Sequence, residues 1–244
     1  MKGTELLEIK TWTLYWLGLD HKFFEVNIPT ITGTWITIFL LILILIPINR
    51  SLRNKNSILR HAVTKFIAAF MDMCQQSLGD NFSFNHFCFI TTLFLFILLC
   101  NIIVIIPWMP EPTKDLNTTL ALGLLSFLYT QIYAIKSHGI KAYLKEYTSP
   151  IFLMFPLHVL GKIASIISIS FRLFGNIFGG AIISHIYLST IEGSIIYETL
   201  GLLSGTNFAL LFFFGIFEGF LQAFVFTMLT LTYLSIAVQT SHEE

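Results

Sequence analysis

Apolar residues run unbroken for long stretches of this chain, and the polar residues between them fall into short clusters. Runs of 18 or so apolar residues recur from Thr32 to Val238, the length at which a helix crosses a bilayer. The pattern predicts spans over residues 32–49, 86–108 and 118–135, with an outer N-terminal segment over 1–31. Residues 59–79, "LRHAVTKFIAAFMDMCQQSLG", instead alternate apolar and polar faces at helical spacing. That suits an amphipathic helix lying at the membrane surface.

The last two apolar segments, 150–188 and 206–238, exceed the length of an upright span. As helices they extend roughly 58 and 50 Å at about 1.5 Å per residue, against a hydrocarbon core of about 30 Å. Either they incline steeply, or Gly161, Gly175 and Gly179–Gly180 break the first into pieces. The favoured arrangement is a steeply tilted antiparallel hairpin, held off the lipid by a protein partner. The expected fold is therefore an all-α integral membrane protein, with about five membrane segments and one surface helix in a single membrane domain.

Composition narrows the function. Only 11% of residues are charged and 55% are hydrophobic, and the formal net charge is zero. Such a chain offers no electrostatic case for nucleic-acid binding. There is no GxxxxGK[ST] motif, so no nucleotide chemistry is expected of the chain alone. Cys74, Cys88 and Cys100 have neither CxxC nor Cys/His ligand spacing and read as small apolar residues. No metal or cofactor is expected. The N-terminus lacks the apolar core and small-residue cleavage site of a signal peptide.

Two loops, 50–65 and 136–145, carry eight of the fourteen Lys and Arg residues. The positive-inside rule places both on the cytoplasmic side. The N-terminus then lies outside and the C-terminal "QTSHEE" inside.

Between Pro150 and Ser241 the charged residues are Lys162, Arg172, Glu192, Glu198 and Glu218. Glu192 and Glu198 fall in a loop; the other three lie in apolar surroundings. A Lys or Arg at a helix centre there costs at least about 2.5–3.5 kcal/mol, which marks it as functional by default. Arginine does not deprotonate in proteins, so Arg172 is a fixed positive charge. It can hold an anion, depress a passing carboxylate's pKa or repel cations; a structural ion pair with Glu218 is the plainer alternative. Gln222 lies one turn after Glu218 and Asn176 one turn after Arg172. With Asn101 and Gln131 in the second and third spans, they sketch a polar path at membrane depth. His185 suits proton relay or a hydrated structural role alike. His158 and His185 are too far apart along one segment to ligate one haem face. His21, His61, His86, His138 and His242 fall in loops or ends and are assigned no role.

"SFRLFGN", "FEGFLQAFVFTMLTLTYLSIA" and "PEPTKDLNTTLALG" occur in an order and spacing that resemble subunit a of the rotary F-type ATP synthases. The resemblance covers nearly the whole chain, and its wording is bacterial or plastid-like. It implies a stator subunit of the membrane sector, most naturally in a bacterial inner membrane. The implied partners are a ring of c subunits, peripheral-stalk b subunits and membrane lipid. Proton transport through two half-channels is coupled to ATP synthesis, with sodium as an open alternative ion. By this resemblance Arg172 faces the ring carboxylate and separates the half-channels. Gln222 is the glutamine opposite it, Asn176 the asparagine of the same motif, and Asn101 a polar residue of the outer channel. The chain also departs from the family pattern. Ala181 stands nine residues after the arginine, where a carboxylate or histidine is common, and His185 follows one turn later. Gly215 stands seven residues before Gln222, and Glu218 is a turn nearer. The expected outer path runs from His185 to Glu218 through water. On the inner side Lys162 replaces a usual glutamate, leaving His158 or water alone for proton release. An ion channel or transporter acting without a rotary partner is the alternative function.

Overall fold

The structure, a computed structural model, describes residues 11–13, 25–52, 58–106, 109, 111–148, 153, 155–192 and 195–239. Most of segment 1–31, Arg53 and Lys55 of the first basic loop, His21 and the C-terminal residues with His242 lie outside that set. Two three-residue strands, β1 (Thr11–Thr13) and β2 (Glu25–Asn27), pair antiparallel ahead of the helices.

Among the described residues eight α-helices follow: α1 (Ile28–Leu52), α2 (Ile58–Leu78), α3 (Phe84–Ile102), α4 (Leu116–Thr148), α5 (Phe155–Ile191), α6 (Ile195–Leu203), α7 (Thr206–Leu210) and α8 (Glu218–Gln239). A π-helical stretch, Leu211–Phe217, joins α7 to α8. Among the described residues five helical segments, including the continuous 206–239, are long and apolar enough to cross a membrane. α2, amphipathic and less apolar, is not among them; it turns Phe70, Cys74 and Leu78 inward.

Local chemistry explains the boundaries. Ser83 opens α3, its Oγ accepting from the Asn85 backbone N–H. Asp115 opens α4 in the same way through Asn117, and its second oxygen accepts from Thr30 at 2.8 Å and from Asn27 at 3.4 Å. One carboxylate thus starts one helix and ties down the start of another. Gly139, at φ +78°, kinks α4, which continues past 135. The stretch after α5, read from sequence as a loop, contains α6. Its amphipathic nine residues are too short to register as an apolar run.

α5 is unbroken across Gly161, Gly175, Gly179 and Gly180. Its 37 residues span about 55 Å, so it fits a core of about 30 Å only when steeply inclined. Gly180 packs on Phe214, and a cavity brackets Lys162, Ser165 and Ile169 with Thr230, Tyr233 and Ile236. Residue numbers fall along one helix as they rise along the other, so α5 and 206–239 form an antiparallel hairpin. The buried core lies where α3, α4, α5 and α8 meet, around Phe94, Ile97, Leu173, Phe226 and Leu234.

Candidate functional site

Arg172 sits at the middle of α5. The buried stripe of that helix is Ile169, Ser170, Leu173, Ile177 and Gly180. Arg172 is off that stripe and exposed, beside the exposed Ile167, Phe171 and Phe178. Its guanidinium therefore points out of the bundle from an apolar surface. Among the described residues, the ion pair present joins Lys114 to Glu111, and none joins Arg172 to Glu218.

The hairpin register sets the neighbours. Gly180 against Phe214 puts Arg172 level with Gln222 and Asn176 level with Glu218. Gln222 is 9% exposed, on the inward side of α8. Asn176 and Glu218 are half-buried, flanking Arg172 one turn along. Four polar groups from two helices thus occupy two adjacent levels.

Asn101 comes in from α3. It is 1% exposed and donates from Nδ2 to the Gly219 carbonyl at 2.9 Å, next to Glu218. That approach needs a glycine, because a Cβ on Gly219 would lie 2.9 Å from the Asn101 Cβ. Gly215 admits Val104 of the same segment at the same distance. The π-helical stretch ends at Phe217, immediately before Glu218. An i→i+5 turn adds a residue to the coil, and so rotates everything after it relative to α7. Such bulges recur at functional sites, and here the rotation decides which face carries Glu218 and Gln222.

Beyond this cluster a cavity of about 430 Å³ opens between α3, α5, α7 and the turn Pro112–Lys114. Asn101 and His185 line it, so two residues expected on one path do share a space. Glu218 is not in its wall; Asn101, which is, bonds the carbonyl of Gly219, the residue that follows Glu218. Glu111, Lys114, Ser184, Tyr187 and Asn207 also line the cavity, and sequence reasoning missed all five as site residues. The available signal was the Glu–Lys pair three residues apart in a proline-flanked loop. Burial pushes the Glu111 carboxyl above the ordinary carboxylate range, and the Lys114 ammonium pulls it partly back.

At the opposite end of the hairpin, Lys162 is half-buried in a smaller cavity of about 160 Å³. Its Nζ lies 3.5 Å from Gln131 Oε1 and 5.3 Å from the centre of the Tyr143 ring. Tyr143 donates to the same Gln131 oxygen at 2.5 Å. Ser126, Thr130, Ser165 and Thr230 complete the polar lining. His158 is half-buried one turn before Lys162.

Two histidines assigned to loops are structural. His86 is buried in α3 and shares a 3.0 Å hydrogen bond with Tyr129. His138 Nε2 lies 2.8 Å from the Ala237 carbonyl and donates to it. Among the described residues no three His, Cys, Asp or Glu side chains converge as metal ligands would.

Residues 31–235 match the sequence model of a family described as ATP synthase A chain. The chain is 32% identical over 206 residues to ATP synthase subunit a of Moorella thermoacetica, covering 84% of this chain and 88% of that one. It is 30% identical over 229 residues to ATP synthase subunit a 1 of Syntrophotalea carbinolica, covering 92% and 91%. With ATP synthase subunit a 2 of Chlorobium luteolum it shares 34% over 189 residues, 75% of this chain and 53% of that longer protein.

Proposed function

The chain belongs to the ATP synthase A-chain family, and from that premise we propose that it is the stator of a proton-driven rotary motor. It is an integral membrane protein that assembles with the other subunits of an ATP synthase, the c ring among them. Arg172 is the charge against which the ring turns. The membrane is a bacterial inner membrane, with the N-terminus outside and the C-terminus cytoplasmic, as the basic loops favour.

One observation carries the reading: a permanent cation stands exposed at the midpoint of a very long helix, on an apolar face, without an ion pair among the described residues. Exposed to lipid, such a charge is costly. A carboxylate on a passing c subunit offsets that cost. Proximity to Arg172 lowers the pKa of that carboxyl, so it releases its proton on arrival and stays ionised while opposite the arginine. Because Arg172 cannot release a proton, it interrupts the path between the two sides. The ring acid must be neutralised before it can travel on through lipid, which couples each proton to one step.

The outer half-channel is the cavity holding His185 and Asn101, continued to the ring by Glu218 and Asn176. Gln222, at the level of Arg172 on the inward side of α8, places a neutral amide at that depth without adding charge. Peripheral-stalk b subunits hold the stator still against the ring's torque. On the inner side a protonated Lys162 has no acceptor to offer. Proton release there runs through water and His158.

The test is Arg172→Ala in the assembled complex in sealed vesicles. ATP-driven pumping is expected to vanish, while passive leak, with the catalytic sector stripped off, stays the same or rises. Normal pumping would make Arg172 dispensable and end the proposal.

A further inference from the structure

The cavity between α3, α5 and α7 contains a charge that the Arg172 mechanism does not use. Glu111 and Lys114 pair at 2.6 Å, yet their exposures differ sharply: 7% for the carboxylate side chain and 38% for the lysine. The pair therefore runs from solvent to interior, with the acid on the inside and the cation outside. A purely surface clamp would leave both ends wet.

A second observation comes from the amides. Asn101 and Asn207 both line the cavity, and the Oδ1 of each is buried without a hydrogen-bond partner. An amide oxygen only accepts. Two orphaned acceptors beside a space of about 430 Å³ call for an occupant rich in donors. Water and the hydrated proton meet that need, and the cavity is large enough to hold several.

We infer that Glu111 is the proton-loading carboxyl of this cavity, with Lys114 as its counter-charge on the solvent side. The step is a simple exchange. The carboxylate takes a proton from solvent-side water as Lys114 moves off, and one O–H bond forms while another breaks. The neutral acid then returns that proton to cavity water beside Asn207 and His185, and the carboxylate pairs with Lys114 again. Among the described residues that line the cavity, the titratable groups beside Glu111 are Lys114 from its own turn and His185 and Tyr187 from α5, while α3 and α7 supply the amides Asn101 and Asn207. Asp115 closes the same turn, its carboxylate bonded to Thr30 and Asn27. Burial lifts the Glu111 carboxyl toward the pH range in which it must exchange, which suits a loading group.

This assignment rests on reading the cavity as the outer half-channel, so the test includes both. ATP synthesis by the assembled complex in vesicles is measured against the pH of the compartment that the cavity faces, at fixed membrane potential. For Glu111→Gln the rate near neutral pH is expected to fall on the order of tenfold or more, with the deficit shrinking as that pH is lowered. Glu111→Asp is expected to recover most of the rate. Lys114→Gln removes the charge that holds the acid's proton affinity down, so the half-maximal pH is expected to move upward. Glu111→Gln at normal subunit levels with an unaltered pH profile would overturn the assignment. Should that variant fail to assemble, a Lys114→Gln profile superimposable on the parent's would overturn it instead. Arg172→Ala, run alongside, separates the two failures. If it is silent while Glu111→Gln is normal, only the loading role is lost; if it synthesises ATP normally, the half-channel reading falls as well.

Discussion

Arg172 and Gly219 are opposite kinds of residue within about a turn of each other in depth, and each answers to a different constraint. Arg172 was conspicuous in sequence, because a guanidinium in an apolar run is expensive wherever the helix lies. Gly219 carries no such mark. Its importance appears only when α3 is packed against α8 and Asn101 donates to its carbonyl. Gly219→Ala places a methyl 2.9 Å from the Asn101 Cβ, so one backbone must yield. The expected cost is about 1–3 kcal/mol of overpacking, together with loss of the Asn101 bond. A lowered melting temperature of the detergent-solubilised protein, with impaired proton pumping, is the outcome to look for. An unchanged melting temperature would mean that the helices can part at this level without penalty.

Helix packing sets the next level of control. α4 and α5 touch closely where Gly123 faces Ser170, and a Cβ on Gly123 would fall onto the Ser170 hydroxyl. That hydroxyl is itself buried without a partner. Removing it should cost little, whereas filling Gly123 should cost much more. Gly123→Ala is expected to destabilise by about 1–3 kcal/mol, Ser170→Ala to be close to neutral, and the double variant to recover most of the loss. A thermal-unfolding cycle over the four proteins measures this coupling, and simple additivity of the two substitutions would refute it. The π-helical stretch acts at the same scale. By rotating α8 relative to α7 it presents Glu218 near Asn101, although Gly215 occupies the position where a carboxylate or histidine is common in the family. The displacement of the acid by one turn, puzzling in sequence, accompanies a change of helical pitch.

As a whole, the molecule has an unsatisfied face. The exposed side of α5 carries Leu160, Ile163, Ile167, Phe171 and Ile182 around Arg172, and the other arm of the hairpin adds Phe213, Phe217 and Phe220. Acyl chains can cover these side chains, but the hydrocarbon core holds no anion for a guanidinium at the middle of the helix. On the proposed reading, the path is completed by a carboxylate from another subunit. Reconstituted alone into liposomes, the chain is expected to give no proton flux above that of empty vesicles. Co-reconstitution with the c ring and peripheral stalk should restore it. Steady flux from the chain alone would favour a self-contained channel over a stator.

By itself the sequence determined the class of the protein, the approximate places of its long helices and the identity of its central charge. Each of these follows from one-dimensional properties: the length of an apolar run against the bilayer, and the cost of charge within it. It also marked Asn101, Asn176, Gln222 and Glu218 as unusual at such depth. Only the tertiary structure decided how those residues stand to one another. The hairpin register that levels Arg172 with Gln222, and the placing of Asn101 on Gly219, depend on contacts between segments far apart in the chain. Glu111 was hidden for the same reason. In sequence it is an ordinary acid in a polar loop; burial, which only packing confers, makes it chemically distinct.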